Sequence, residues 1–118
     1  MPSAVVNTTE EVEAWLRSLQ PRDQGDVQHV IKLLELMGIQ LPFPHSSALN
    51  GARYGLRELR PRRGESPLRI IYAFDPHREA VILLGGDKGA DKRFYDRVIP
   101  VAEALFEEYR GHLEDSNE

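Results

Sequence analysis

Between residues 55 and 74 the chain reads GLRELRPRRGESPLRIIYAF, and five arginines, Arg57, Arg60, Arg62, Arg63 and Arg69, fall within thirteen positions. A guanidinium stays charged at any workable pH and grips a phosphate or carboxylate through two parallel hydrogen bonds. Like charges this close repel one another, so the cluster calls for a phosphate, a carboxylate or an acidic partner chain. The competing explanation is ordinary pairing with Glu58, Glu65 and Glu79. That explanation suits Arg62 and Arg63, in a turn, better than Arg60 and Arg69, inside strands. A second basic stretch, GGDKGADKRFYD, sets Lys88, Lys92, Arg93 and Tyr95 directly behind another strand-like run. Its glycines permit tight backbone turns beside a ligand. It lacks the fixed spacing of a nucleotide-binding phosphate loop.

Other chemistries are harder to find. The chain has no cysteine, which excludes disulfides and thiolate–metal sites and fits a reducing, cytoplasmic setting. The four histidines, His29, His45, His77 and His112, are scattered without the i, i+4 spacing of a zinc site. His45 and His77 fall in connections and remain candidate proton carriers, because imidazole titrates near neutrality. No serine–histidine–acid arrangement and no carboxylate cluster for a metal is legible, so neither cofactor nor metal is expected.

The charge is unevenly spread. The 118 residues carry a formal net charge of −4, yet residues 51–100 carry +4 while residues 1–50 and 101–118 carry −3 and −5. A basic centre between acidic ends points to a local anion site rather than to indiscriminate nucleic-acid binding. No apolar run approaches the roughly 20 residues that span a bilayer, and the N-terminus lacks the basic start and apolar block of a secretory signal.

The elements that must position these groups follow from periodicity. Ala4–Asn7 reads as a short first strand. Thr8 and Glu11 have capping-box spacing, and Val12, Trp15, Leu16 and Leu19 then share one helical face. Pro21 suits the first turn of a second helix, carried on by Val27, Val30, Ile31, Leu34 and Met37 and stopped at Gly38. The two form an antiparallel hairpin. Residues 39–53, with their prolines and glycines, read as a connection.

Tyr54–Arg60, Leu68–Phe74 and Ala80–Leu84 read as an antiparallel meander, joined by a polar turn at Pro61–Pro67 and a short one at Asp75–Glu79. Gly85–Lys92 reads as a glycine-rich loop. Pro100 suits the first turn of a last helix ended by Gly111. One domain over residues 1–113, with a disordered acidic tail at 114–118, is expected. The fold class is α+β, in the order β-α-α-β-β-β-α. Alternation places Leu56, Glu58 and Arg60 on one face of their strand and Arg57 and Leu59 on the other. Arg60 and Arg69 then lie close on neighbouring strands, with Glu58 able to pair with either.

Three segments, LNGARYGLRELR, LRIIYAF and VILLGGDK with its trailing loop, occur in an order and spacing that resembles the RelE/ParE toxin superfamily of bacterial type II toxin–antitoxin systems, in its HigB-like, phage-derived branch. The upstream segment EEVEAWLRSLQPRDQGDVQHVIKLLELMG is similar to that family's helical hairpin, so the resemblance covers nearly the whole chain. It implies a RelE-like fold and a metal-free, ribosome-dependent mRNA endonuclease of the cytoplasm. In that reaction a ribose 2′-OH attacks the adjacent phosphate while cations stabilise the phosphorane.

Carried over by position, the resemblance makes Arg60, Arg69, Lys88, Tyr95 and Glu58 the catalytic set. Arg69 is the phosphate-contacting arginine of the strand, Lys88 the basic residue after the last strand, and Tyr95 a stacking or proton-transferring tyrosine. Glu58 is either the base or the group that orients Arg69. Arg57, Arg62, Arg63, Lys92 and Arg93 are the expected RNA-binding residues. The implied partners are a cognate antitoxin, commonly a helix-turn-helix protein, together with the ribosome and mRNA. Operator DNA is reached only through the antitoxin complex. Two other readings are a ParE-type, non-catalytic inhibitor of DNA gyrase and an inactive relative that only holds an antitoxin.

Overall fold

The computed structural model describes residues 3–116. Its elements are β1 (Val6–Asn7), α1 (Glu10–Ser18), α2 (Pro21–Met37), β2 (Ser46–Ala48), β3 (Arg57–Leu59), β4 (Leu68–Phe74), β5 (Ala80–Asp87) and α3 (Phe94–Ser116). The strands form one five-stranded sheet in the order β1-β5-β4-β3-β2. Only the β1–β5 pairing is parallel; the other three are antiparallel. No described helix is long and apolar enough to cross a membrane.

The sheet is covered on both faces. Leu59, Ile70, Tyr72 and Ile82 pack with Val12, Val27, Val30 and Leu34 of the helical hairpin. Leu56, Ile71, Ala73, Val81 and Leu83 pack with Phe94, Val98, Ala102 and Phe106 of α3. Burial on both sides explains why β4 reads as an unbroken run, LRIIYAF, rather than as alternating apolar and polar residues. The β4–β5 register slips between Ile71 and Tyr72, which pair with Leu84 and Ile82 and leave Leu83 as the extra residue. Leu83 and Leu84 therefore both serve the α3 side.

The helices obey local rules with some displacement. Thr9, not Thr8, caps α1, its hydroxyl accepting from the Val12 N–H. The cap is therefore a single side-chain bond, and Thr8 turns instead to Glu13. Pro21 opens α2 and Gly38, at φ 56°, closes it, as expected. Helix α3 begins at Phe94, well before Pro100, because Asp91 prepares its start. The Asp91 carboxylate accepts from the Arg93 N–H and its carbonyl accepts from the Phe94 N–H. The helix then runs through Pro100 and Gly111 to Ser116. The expected stop at Gly111 is not found, and residues 117–118 of the expected tail lie outside the described residues.

The strands differ more. The supposed connection contains β2, β1 is only two residues long, and β3 starts at Arg57 because Tyr54 takes a left-handed turn at φ 65°. Strand β5 continues through Gly85 and Gly86, which were expected to lie in a loop. These glycines are sites of close approach. A Cβ on Gly85 would collide with the Trp15 ring of α1, and one on Gly86 would sit 3.0 Å from the Phe94 ring of α3. Each helical layer thus seats an aromatic ring on a bare patch of β5.

At the β4–β5 hairpin end, the Asp75 carboxylate accepts from the His77 and Glu79 N–H groups and from the Tyr109 hydroxyl. Asn7 donates to Glu79 and to the Tyr109 oxygen, which joins β1 to α3. Gly85→Ala is expected to destabilise the fold by about 1–3 kcal/mol through overpacking against Trp15, read as a lower urea midpoint.

Candidate functional site

The far end of the sheet from that hairpin carries the arginines. On β3, Glu58 sits opposite Ile71 and faces the α3 layer. On β4, Arg69 sits opposite Gly86 and faces the same way. The side-chain-free surface of Gly86 leaves room there for the Phe94 ring.

Glu58 holds four elements together. Its Oε1 accepts from the Tyr95 hydroxyl at 2.6 Å and lies 3.6 Å from Arg69 Nε, while Oε2 accepts from Arg60 Nη1 at 3.4 Å. Arg69 is only 2 % exposed. Its Nη1 donates to the Ser66 and Leu68 carbonyls at 2.6 and 2.7 Å, and its Nη2 reaches the Gly64 carbonyl at 3.5 Å. Nε has no hydrogen-bond partner at proper distance, so its link to Glu58 is coulombic. Arg60 donates from Nε to the Pro44 carbonyl at 3.2 Å and lies over the Phe43 ring, 5.2 Å from its centroid.

Glu58, Arg60, Arg69 and Tyr95, expected to act together, are thus adjacent, but in a different state from the one expected. Arg69 was expected to meet phosphate. It is instead a buried structural cation that ties the turn at residues 64–68 to Glu58, because main-chain carbonyls take its donors. Glu58 is likewise buried and faces two cations and a phenol. Tyr95 is neutral: burial first, then its bond to Glu58, pushes its hydroxyl up to about 12.

The expected RNA-binding residues divide into three places. Arg57 points to the opposite face, where its Nε donates to Ser46 Oγ, itself bonded to the Tyr72 hydroxyl. It is therefore separated from the Glu58 cluster by the sheet. Arg62 and Arg63 are exposed on the turn after β3 and both adopt left-handed backbone, at φ 55° and 58°, followed by Gly64 at φ 94°. Arg62 pairs with Glu65 at 3.7 Å. Lys88 follows β5, and its backbone N–H donates to the Pro67 carbonyl at 2.9 Å. This bond fastens the loop of Lys88, Lys92 and Arg93 to the end of the arginine turn. The two basic loops therefore form one rim beside the buried cluster.

Two histidines stand apart and one sits beside the cluster. His77 lies at the opposite hairpin and His29 is exposed on α2, while His45 contributes its carbonyl to the Arg60 N–H. A cavity of about 490 Å³ also lies elsewhere: between α1 and α3 over β5, lined by Trp15, Leu83, Leu84, Leu105 and Tyr109 among others, with no lysine or arginine in its wall. Sequence reasoning passed over Phe43, which the fold sets against Arg60. Its signal was an aromatic between two prolines in a stretch dismissed as a connection.

Residues 14–107 match the family described as phage derived protein Gp49-like (DUF891). The Mycobacterium tuberculosis (strain ATCC 25618 / H37Rv) protein named "Putative toxin HigB3" is 39% identical over 101 residues, covering 84% of this chain and 87% of that protein. "Putative toxin HigB2" of the same organism is 36% identical over 110 residues, covering 91% of this chain but 55% of that protein. Among solved structures, the toxin–antitoxin complex RelBE2 from M. tuberculosis superposes with a TM-score of 0.56 at 21% identity, over 74% of this chain and 93% of that one. Free Escherichia coli toxin RelE gives 0.56 at 15% identity, over 81% and 95%. The superpositions at such low identity show a RelE-like fold, and the sequence matches show the lineage: the chain belongs to the phage-derived Gp49-like family and is similar to relatives named as HigB toxins.

Proposed function

We propose that this protein is a toxin that cleaves mRNA on the ribosome and so arrests growth, and that its substrate-facing groups are the rim cations rather than the buried Arg69 and the half-buried Arg60. The observation that carries the reading is the left-handed turn. Arg62 and Arg63 hold a backbone conformation that costs an L-residue roughly 1–2 kcal/mol each, where glycine would be free of that penalty. Retaining two exposed arginines under that strain fits a demand for charge at that spot, and strained positions cluster where ligands bind.

On this reading, Arg62, Arg63, Lys88, Lys92 and Arg93 grip the RNA backbone. The 2′-oxygen forms a bond to phosphorus, the bond to the 5′-oxygen breaks, and a 2′,3′-cyclic phosphate remains. Lys88, whose backbone N–H bonds the Pro67 carbonyl at the end of the arginine turn, stabilises the extra negative charge of the phosphorane. Glu58 and Arg69 are positioning residues: they hold Arg60 and the arginine turn. Tyr95 stays protonated and donates. The proton of the 2′-OH goes to solvent or to a group of the ribosomal decoding site, and the leaving 5′-oxygen takes up a proton from the same source, which makes ribosome dependence an expected property.

An antitoxin partner follows by analogy with the RelBE2 complex, with operator DNA reached through that partner. A second reading, inhibition of gyrase through protein contacts, is favoured by one observation: Glu58 already neutralises part of the charge of Arg60 and Arg69.

Mapping RNA 5′ ends after induction separates the two readings. Ribosome-dependent cuts support cleavage, whereas supercoiling defects with intact transcripts overturn it. In that assay Lys88→Ala is expected to lose about 10²-fold in cutting with little change in stability. Arg69→Ala is expected to destabilise the fold by about 3–5 kcal/mol, because it leaves Glu58 without one buried cation. Arg63→Gly is expected to keep stability or raise it by up to about 1 kcal/mol while cutting more weakly.

The raised pKa of Tyr95 also fixes a sign. A phenol protonated more tightly in the folded state stabilises fully below its ordinary 10.0, and that contribution is lost as pH climbs toward about 12. Tyr95→Phe is therefore expected to remove part of the alkaline fall in urea midpoint over that window, and to leave the neutral-pH shape of the cleavage profile unchanged.

A further inference from the structure

Phe43 is the one aromatic side chain among the large, strongly exposed hydrophobics, at 68 % exposure. It is nonetheless held in place. Leu41 is buried on one side and Ser46 on the other. The His45 and Ser46 N–H groups both donate to the Pro42 carbonyl, and the Arg60 N–H donates to the His45 carbonyl. One face of the ring meets the Arg60 guanidinium. That guanidinium is itself fixed by the Pro44 carbonyl, by Glu58, and by the bare backbone of Gly64, where an added Cβ would lie 2.5 Å from Nη2. The result is a rigid ring backed by a cation, beside the turn that presents Arg62 and Arg63.

We infer that Phe43, backed by Arg60, is a stacking subsite for one unpaired base of single-stranded RNA next to the bond being cut; this rests on the ribonuclease reading. A ring exposed this far gains little from burial, so packing alone does not account for an aromatic here. Stacking on an aromatic face is how proteins hold unpaired bases, and an arginine behind the ring strengthens the platform. The arginine turn starts one residue after Arg60, so the phosphates flanking the stacked base fall to Arg62 and Arg63. Base preference at this subsite follows stacking strength rather than edge hydrogen bonding, because the ring offers no donor or acceptor. Duplex RNA, whose bases are already stacked, cannot use it.

The test uses the full chain and a fluorescein-labelled single-stranded octaribonucleotide, followed by anisotropy, together with RNA 5′-end mapping after induction. Phe43→Leu is expected to bind about 10-fold more weakly and to cut correspondingly less, Phe43→Tyr to stay within about 2-fold of the parent, and the salt dependence to be unchanged. Thermal melts should coincide, because the ring is exposed. The inference is overturned if Phe43→Leu binds and cuts like the parent, if a duplex or an oligomer with abasic sites binds as well as the single strand, or if the parent binds no single strand. It is overturned equally if Leu and Tyr both fail alike, or if Leu weakens capture of a co-expressed antitoxin but not of RNA; both outcomes assign Phe43 to protein contacts. Should the parent show ring-dependent RNA binding yet make no cuts, the ribonuclease reading fails and the subsite stands. Cuts unaffected by Phe43→Leu give the reverse.

Discussion

One carboxylate organises this end of the molecule. Glu58 is shared by Arg60 from the end of β3, Arg69 from β4 and Tyr95 from the first turn of α3. Removing a carboxylate and two guanidiniums from water carries a desolvation penalty of several kcal/mol per ion, offset only when the geometry and remaining hydrogen bonds are good. Here part of the offset comes from the main chain: the Pro44 carbonyl accepts from Arg60 Nε, and the Gly64, Ser66 and Leu68 carbonyls accept from the two Nη groups of Arg69. The pairs therefore fix loops as well as charges. Without Glu58, two like charges would repel between adjacent strands and the turn at residues 61–67 would lose its anchor.

That arrangement divides the cations into two classes. Arg60 and Arg69 are inward and fixed; Arg62, Arg63, Lys88, Lys92 and Arg93 are outward or at the rim. The buried class retains an excess of one positive charge under the rim, in surroundings that screen it poorly. A phosphate chain crossing the rim is thus attracted by surface charges and by a field from below. The acidic stretches lie mainly on α1 and α3, on elements that flank rather than line this end. A modest net charge and a strong local field coexist for that reason.

Much of this was legible in the residues. Strand β4 falls at its expected limits, and α2 begins at Pro21 and ends at Gly38, because proline and glycine act locally. Alternation correctly placed Arg57 and Leu59 on the face opposite Glu58, and allowed Glu58 to pair with either arginine; it pairs with both. What failed depends on partners distant in sequence. Gly85 and Gly86 look like loop residues until Trp15 and Phe94 arrive to cover them. Ser46–Ala48 lacks strand propensity and pairs because β3 offers an edge. The burial of Arg69 escaped notice because its partners are carbonyls, and main-chain acceptors leave no mark on a sequence. Phe43 was hidden by its setting: a proline-flanked stretch reads as a linker, although both of its ends are anchored.

The bond between Asn7 and Tyr109 ties the first strand to the last helix at the β4–β5 hairpin. Six positions of β-strand separate Asp75 from Arg69, about 20 Å at 3.3 Å per residue. That tie therefore lies on the side remote from the arginines. A label attached to exposed His77, on that hairpin, would leave the arginine end of the sheet turned outward.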